Sequence, residues 1–201
     1  MNIYFIRHGE ADHLKEDWYR QFLTRKEFII KMIEWENVNL TNTGHDQAIQ
    51  LSKQLPRNYK LIMSSPLPRT KQTANILNIH NRVILFDNNL KEIVTSPPKF
   101  LKYLKLPIII WIYICIIVSL FNGHTLKLIS QCKDIYKNLL VHNDDIIVVS
   151  HTMRIRTLIY YAKFCPKLKV LTKDFSTCGV SIVCRKAIPV SLKQTCNVPN
   201  V

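Results

Sequence analysis

The sequence predicts an α/β domain built on a largely parallel sheet, and three observations predict it. Short apolar runs recur along the chain and stop at polar or glycine-bearing segments. Stretches with helical apolar spacing lie between them. The run DDIIVVS, ending at Ser150, is continuously apolar after its two aspartates, the pattern of a parallel strand buried on both faces. Strands that alternate with helices in this way build α/β folds. The 201 residues fit one domain over 1–186, with a loose tail at 187–201 that carries two prolines and little periodicity.

Taken in order, Asn2–Ile6 is an apolar run that halts at Arg7-His8-Gly9 and reads as a buried first strand. Residues 14–36 read as one helix, with Leu14, Trp18, Phe22, Phe28, Ile29, Met32 and Ile33 recurring along it. Thr41–Gly44 forms a turn into a helix over His45–Leu55, where Ala48, Leu51, Ser52 and Leu55 share a face and Pro56 lies beyond the stop. Lys60–Met63 is a strand that ends at Ser64-Ser65-Pro66, and Thr70–Leu77 follows as a helix. Arg82–Phe86 is a third strand and Asp145–Ser150 a fourth. Thr152–Tyr161 is helical, and Gly179–Cys184 is the last strand.

Composition narrows the classes. The net charge of +14 suits an anionic partner: nucleic acid, an acidic membrane surface or a phosphorylated substrate. The basic residues are dispersed, with no block of five and no zinc-finger spacing or RNP-type aromatic run, so nucleic acid is not expected. The cysteines at 115, 132, 165, 178, 184 and 196 form no CxxC and no metal-ligand spacing, which points to reduced thiols and no metal site. The start, MNIYFIRHGE, lacks the layout of a secretory signal. A cytoplasmic location is therefore expected.

Leu106–Phe121 is an uncharged segment preceded by Lys99, Lys102 and Lys105. As a helix it would span about 24 Å, short of the roughly 30 Å of a hydrocarbon core. A crossing here would also separate His151 from the earlier polar motifs. A helix packed on the domain, a buried strand (which Tyr113 and the β-branched residues allow), a homodimer face, and peripheral membrane contact through 99–121 are the readings it leaves open.

Four polar segments sit at the C-terminal ends of the predicted strands, where open α/β sheets place their sites. They are Arg7-His8-Gly9-Glu10, Ser64-Ser65-Pro66 with Arg69, Leu90-Lys91-Glu92, and Ser150-His151 followed by Arg156. Two histidines, two or three arginines and one carboxylate suit phosphoryl transfer through histidine. A neutral imidazole can attack phosphorus, guanidinium forks hold its oxygens, and a carboxylic acid can protonate the leaving oxygen. No cofactor is required.

These segments, in this order, resemble the histidine phosphatase superfamily, also called phosphoglycerate mutase-like. The matching text is IYFIRHGEAD at 3–12, LTNTGHDQA at 40–48, MSSPLPRTKQTA at 63–74, LKEI at 90–93 and VVSHTMRIRTLI at 148–159. The resemblance implies a single three-layer domain with helices on both faces of the sheet, and an apolar insertion at 93–130 where family members place a substrate-covering segment. It implies His8 as the nucleophile, Arg7 and Arg69 as phosphate ligands, His151 as a further hydrogen-bond partner of the phosphoryl group, and Glu92 as general acid and then base. It implies structural roles for Thr41 and Gly44, and for Gln72, Thr73 and Ala74. The expected activity is metal-independent hydrolysis of a small phosphomonoester. Alternatives are a phosphohistidine protein phosphatase, a mutase, a phospho-ligand-binding module without turnover, and a membrane-peripheral phosphatase of a phosphorylated lipid. The mutase reading lacks the Trp-Asn that usually follows the RHG; here Ala11-Asp12-His13-Leu14 stands in its place. The module reading draws on Thr152-Met153, where many members carry Gly-Gly after the second histidine.

Overall fold

A computed structural model describes residues 1–14, 18–93, 95–121 and 124–186, without the side chains of 14, 18, 120, 121 and 124. The expected loose tail at 187–201 lies outside the described residues. In chain order the strands are β1 (Asn2–Arg7), β2 (Phe22–Thr24), β3 (Tyr59–Ser64), β4 (Val83–Phe86), β5 (Lys105–Pro107), β6 (Asp145–Ser150), β7 (Leu168–Thr172) and β8 (Val180–Arg185). The helices are α1 (Arg25–Glu34), α2 (Asn42–Ser52), α3 (Pro68–Leu77), α4 (Ile108–Phe121), α5 (His124–Leu140) and α6 (Thr152–Phe164).

Six strands form the central sheet in the order β4-β3-β6-β1-β8-β7. The first four are mutually parallel, while β8 pairs antiparallel with both β1 and β7. This is the largely parallel sheet expected. Strand periodicity distributes its side chains to two cores. Ile3, Phe5, Leu61, Met63, Ile146 and Val148 face one side, where Cys132, Ile135, Tyr136 and Leu139 of α5 and Ile155, Leu158, Ile159 and Ala162 of α6 meet them. Ile6, Ile62, Ile147 and Val149 face the other, against Leu51 of α2 and Ala74 and Leu77 of α3. The four central residues of β6 are all fully buried. Each contributes about 1.5–3 kcal/mol relative to exposure, which explains the unbroken apolar run.

A third apolar cluster stands apart from the sheet and is built from the two stretches that the motif series leaves unmatched. Phe28 of α1, Trp35, and Ile108, Trp111 and Cys115 of α4 are its buried members. The Trp111 Nε1–H donates to the Leu23 carbonyl at 2.7 Å. A two-stranded ribbon, β2 against β5, ties the parts together. The segment 106–121 is therefore a short strand residue run that turns into a packed helix. No helix among the described residues is long and apolar enough to cross a membrane.

The single helix expected over 14–36 is a correction; its residues 15–17 lie outside the described residues. Single turns of 3-10 helix lie at Asp12–Leu14 and Trp18–Arg20, then β2, and only then α1. The physical reason is a capping box. The Thr24 side chain accepts from the Glu27 N–H, and the Glu27 carboxylate accepts from the Thr24 N–H at 2.7 Å. That pair starts the helix at Arg25. The aromatic spacing upstream mixes strand and turn residues, so Phe22 is exposed rather than on a helical core face. The sequence reading also assigns nothing to β7 or α5. The spacing Cys132, Ile135, Tyr136, Leu139 is the signal for α5.

Candidate active site

The C-terminal ends of β1, β3 and β6 lie side by side, so His8, Ser65 and His151 follow adjacent strands. Backbone bonds lock the loops: His8 N–H to the Ser150 carbonyl at 3.1 Å, and Ser65 N–H to the Val149 carbonyl at 3.0 Å. The chain reverses beneath His8 through a close approach of two backbones. A Cβ on Gly9 would collide with the Gly44 carbonyl, and one on Gly44 with the Glu10 carbonyl. Thr41 caps α2 by accepting from the Gly44 N–H at 3.0 Å, and its hydroxyl donates to the Glu10 carboxylate at 2.8 Å. The expected structural roles of Thr41 and Gly44 correspond to these contacts.

The hydrogen bonds determine the tautomers of the two imidazoles. His8 Nδ1 lies 2.7 Å from the Gly9 carbonyl, which can only accept, so Nδ1 carries the proton. Nε2 is then a bare lone pair, and Arg69 Nε donates to it at 3.2 Å. Arg69 Nη2 donates to His151 Nδ1 at 3.3 Å, so His151 carries its proton on Nε2 and donates to Ser65 Oγ at 3.0 Å. The His8 and His151 rings are 5.2 Å apart, edge to face. Arg69 Nη1 is anchored on the Trp35 carbonyl at 2.6 Å. The cluster is closed: His8 is 3% exposed, Arg69 4% and His151 0%.

Burial first, and then the Arg69 guanidinium, hold His8 well below the ordinary imidazole range. Burial, then His8 and Arg69, do the same to His151. Both rings are neutral at pH 7. Burial lowers Arg69 to about 10, which leaves it charged. Arg7 donates through Nη1 to the Phe175 carbonyl at 3.1 Å, while its buried Nε has no partner among the described residues. The Glu92 carboxyl faces Arg69 and Arg7, yet burial outweighs both and raises it above the usual carboxylate range. The five residues singled out from sequence thus lie together: His8, Arg69 and His151 are buried, with the half-buried Arg7 and Glu92 electrostatically coupled to Arg69 and to each other.

Three contributors escape sequence reasoning. His13 lies 6.0 Å from the His8 ring and 5.2 Å from the Trp35 ring, with a buried Nδ1 that has no partner among the described residues. Burial, Arg69 and Arg7 push it down to about 3. Trp35 contributes a backbone carbonyl, which no side-chain pattern announces. Arg154 is buried and holds the Lys91 carbonyl at 3.2 Å and the Gln131 side chain at 3.2 Å, next to Glu92. Its signal was available: it shares the helical stripe of Ile155, Leu158, Ile159 and Ala162. Arg156 lies off that stripe, is exposed, and sits over the Phe175 ring at 5.1 Å. On α3, Thr73 Oγ1 accepts from the Gly9 N–H at 3.2 Å and Gln72 Oε1 from the Leu40 N–H at 2.8 Å, so both organise backbone.

The largely parallel sheet carries its histidine-arginine cluster at the C-terminal edge, where open α/β sheets place ligand sites and where guanidinium donors suit an anion. The family model described as the histidine phosphatase superfamily (branch 1) matches residues 3–96. Solved structures share the fold over most of the chain. Phosphoserine phosphatase from Entamoeba histolytica, in complex with 3-phosphoglyceric acid, is similar at 19% identity over 90% of this chain and 89% of that one, with a TM-score of 0.59. YhfR from Bacillus stearothermophilus aligns at 21% identity over 82% and 81%, with a TM-score of 0.56. Mycobacterial glucosyl-3-phosphoglycerate phosphatase aligns at 16% identity over 82% and 80%, with a TM-score of 0.51. No curated protein matches the sequence at comparable stringency. The family match thus rests on residues 3–96, and the solved structures extend the likeness of fold over most of the chain.

Proposed function

We propose that the chain is a metal-independent phosphatase that hydrolyses a small phosphomonoester through a phosphohistidine on His8. The observation that carries this reading is the neutral His8 imidazole, its bare Nε2 turned toward Arg69 and its Nδ1 proton tied to the Gly9 carbonyl. A phosphoryl dianion would draw the Arg69 donors and the unpartnered Arg7 Nε onto its oxygens. His151 would donate a further bond. His8 Nε2 attacks phosphorus in line, the bond to the leaving oxygen breaks, and Glu92 gives that oxygen its proton. The resulting carboxylate then takes a proton from water, which attacks phosphorus and releases phosphate from Nε2. The guanidinium donors would stabilise the oxygen charge in both transition states.

The small-substrate reading draws on the cluster of α1 and α4, which reaches the site through the Trp35 carbonyl on Arg69. Thr152-Met153, in place of the Gly-Gly that many members carry, motivates a second reading, a phospho-ligand-binding module without turnover. One experiment separates them. Incubation with a 32P-labelled aryl phosphate, quenched in alkaline detergent, traps an acid-labile, base-stable phosphoenzyme in the first reading, and His8→Ala abolishes both the label and phosphate release, by more than about a thousandfold. Binding without label in the unaltered chain would establish the module instead. Phosphoserine, 3-phosphoglycerate and glucosyl-3-phosphoglycerate head the substrate panel.

A further inference from the structure

We propose that the outer edge of the α1–α4 cluster, residues 99–117, docks on an anionic phospholipid surface. Phe100 and Tyr103 are 82% and 83% exposed, on the segment that leads into β5. Beyond β5, Ile110, Tyr113 and Ile117 stand exposed at helical spacing on α4, the face opposite to buried Ile108, Trp111 and Cys115. An exposed aromatic pair followed within a few residues by an exposed Ile-Tyr-Ile helical stripe fits an interfacial insertion.

The charge pattern chooses the occupant. Lys99, Lys102 and Lys105 are exposed around Phe100 and Tyr103. Between Glu92 and Asp134 the sequence carries no carboxylate at all, while Lys127 and Lys133 add to the same sign. Among the described residues, Glu27 lies near Lys105 at this rim, and no ion pair forms at Lys99 or Lys102. Lys102 Nζ sits 4.7 Å from the Tyr103 ring centroid, so charge and aromatic present together. A second copy fits less well. A two-fold dimer through this face would bring two lysine rims together on chains that each carry +14. An anionic bilayer takes up both the lysines and the apolar side chains. The docking is peripheral, since α4 is only 14 residues long, and it stands independently of the catalytic reading.

The test is co-sedimentation of the full chain with vesicles of phosphatidylcholine alone or mixed with phosphatidylserine. Binding to the mixed vesicles only, reversed by salt, is expected. Lys99→Glu/Lys102→Glu should weaken partitioning about thirtyfold, the loss two surface lysines predict. Phe100→Ser/Tyr103→Ser should weaken it at least about tenfold through lost insertion. Both pairs are exposed, so an unchanged thermal midpoint will show that each variant is folded. The proposal is overturned by no binding to mixed vesicles, by equal binding to neutral ones, or by double variants that bind like the parent. A chain that is dimeric in sedimentation equilibrium, and monomeric only as Phe100→Ser/Tyr103→Ser, would overturn it in favour of a dimer face.

Discussion

At the scale of single residues, the site works by separating protonation states. Two imidazoles are kept neutral and one carboxyl is kept protonated beyond its usual range, although all sit within reach of the same guanidinium groups. Burial decides each case, because it disfavours whichever form is charged. If Glu92 is the acid, Glu92→Gln should slow alkyl phosphates by about a hundredfold or more and aryl phosphates much less, since only the poor leaving group needs the proton. Equal losses on both would place the acid elsewhere. The alkaline limb of the alkyl phosphate profile should lie above the ordinary carboxylate range, in the direction of the Glu92 shift. Arg154 acts on this limb indirectly, as a positioning residue through the Lys91 carbonyl. Arg154→Met should shift the limb and lower kcat for alkyl phosphates with KM little changed, as checked by full pH profiles; a uniform loss at every pH would mark a purely structural role.

At the scale of elements, the placement of His8 depends on a contact between two backbones. Gly9 and Gly44 let the turn after β1 settle on the start of α2, and neither position has space for a methyl group. Gly44→Ala should destabilise the fold by about 2 kcal/mol or more, because the clash is with backbone rather than with a movable side chain. Urea unfolding at equilibrium measures this. An unchanged midpoint would mean that the two backbones separate freely. The same scale explains why the residues between the motifs were harder to read. Apolar spacing over 14–36 suggested one helix, while the Thr24–Glu27 capping box, a local polar signal, decided where α1 begins.

At the scale of the whole molecule, burying neutral histidines makes stability depend on pH. His8, His13 and His151 all have folded values below the ordinary one. Below about pH 6.5 the unfolded chain therefore takes up protons that the folded chain does not, and stability is lost as pH falls. Glu92 works in the opposite sense, since its raised value contributes stability that is lost as pH rises through it. Three imidazoles against one carboxyl make the histidines dominate. The thermal midpoint should fall between pH 7.5 and 5.5 at constant ionic strength, and His13→Leu should reduce that dependence by about one proton. A midpoint that holds steady or rises on acidification would contradict this assignment.

The sequence by itself determined five of the six strands of the central sheet, all but β7, and the polar loops at their ends. Buried parallel strands must be apolar throughout, and the loops at their ends are free to carry polar residues, so Arg7, His8, Arg69, Glu92 and His151 stand out against their surroundings without coordinates. What it could not settle depends on distances across the chain. The Trp35 carbonyl on Arg69, His13 against His8, and Arg154 beneath Glu92 are meetings of segments far apart in sequence, and a backbone carbonyl or a lone histidine has no pattern of its own. The tertiary structure also resolved the apolar run at 106–121. Its composition allowed a strand, a core helix or a membrane-facing helix, and only the packing of Trp111 against Phe28 and Leu23 shows which face is buried and which remains outside.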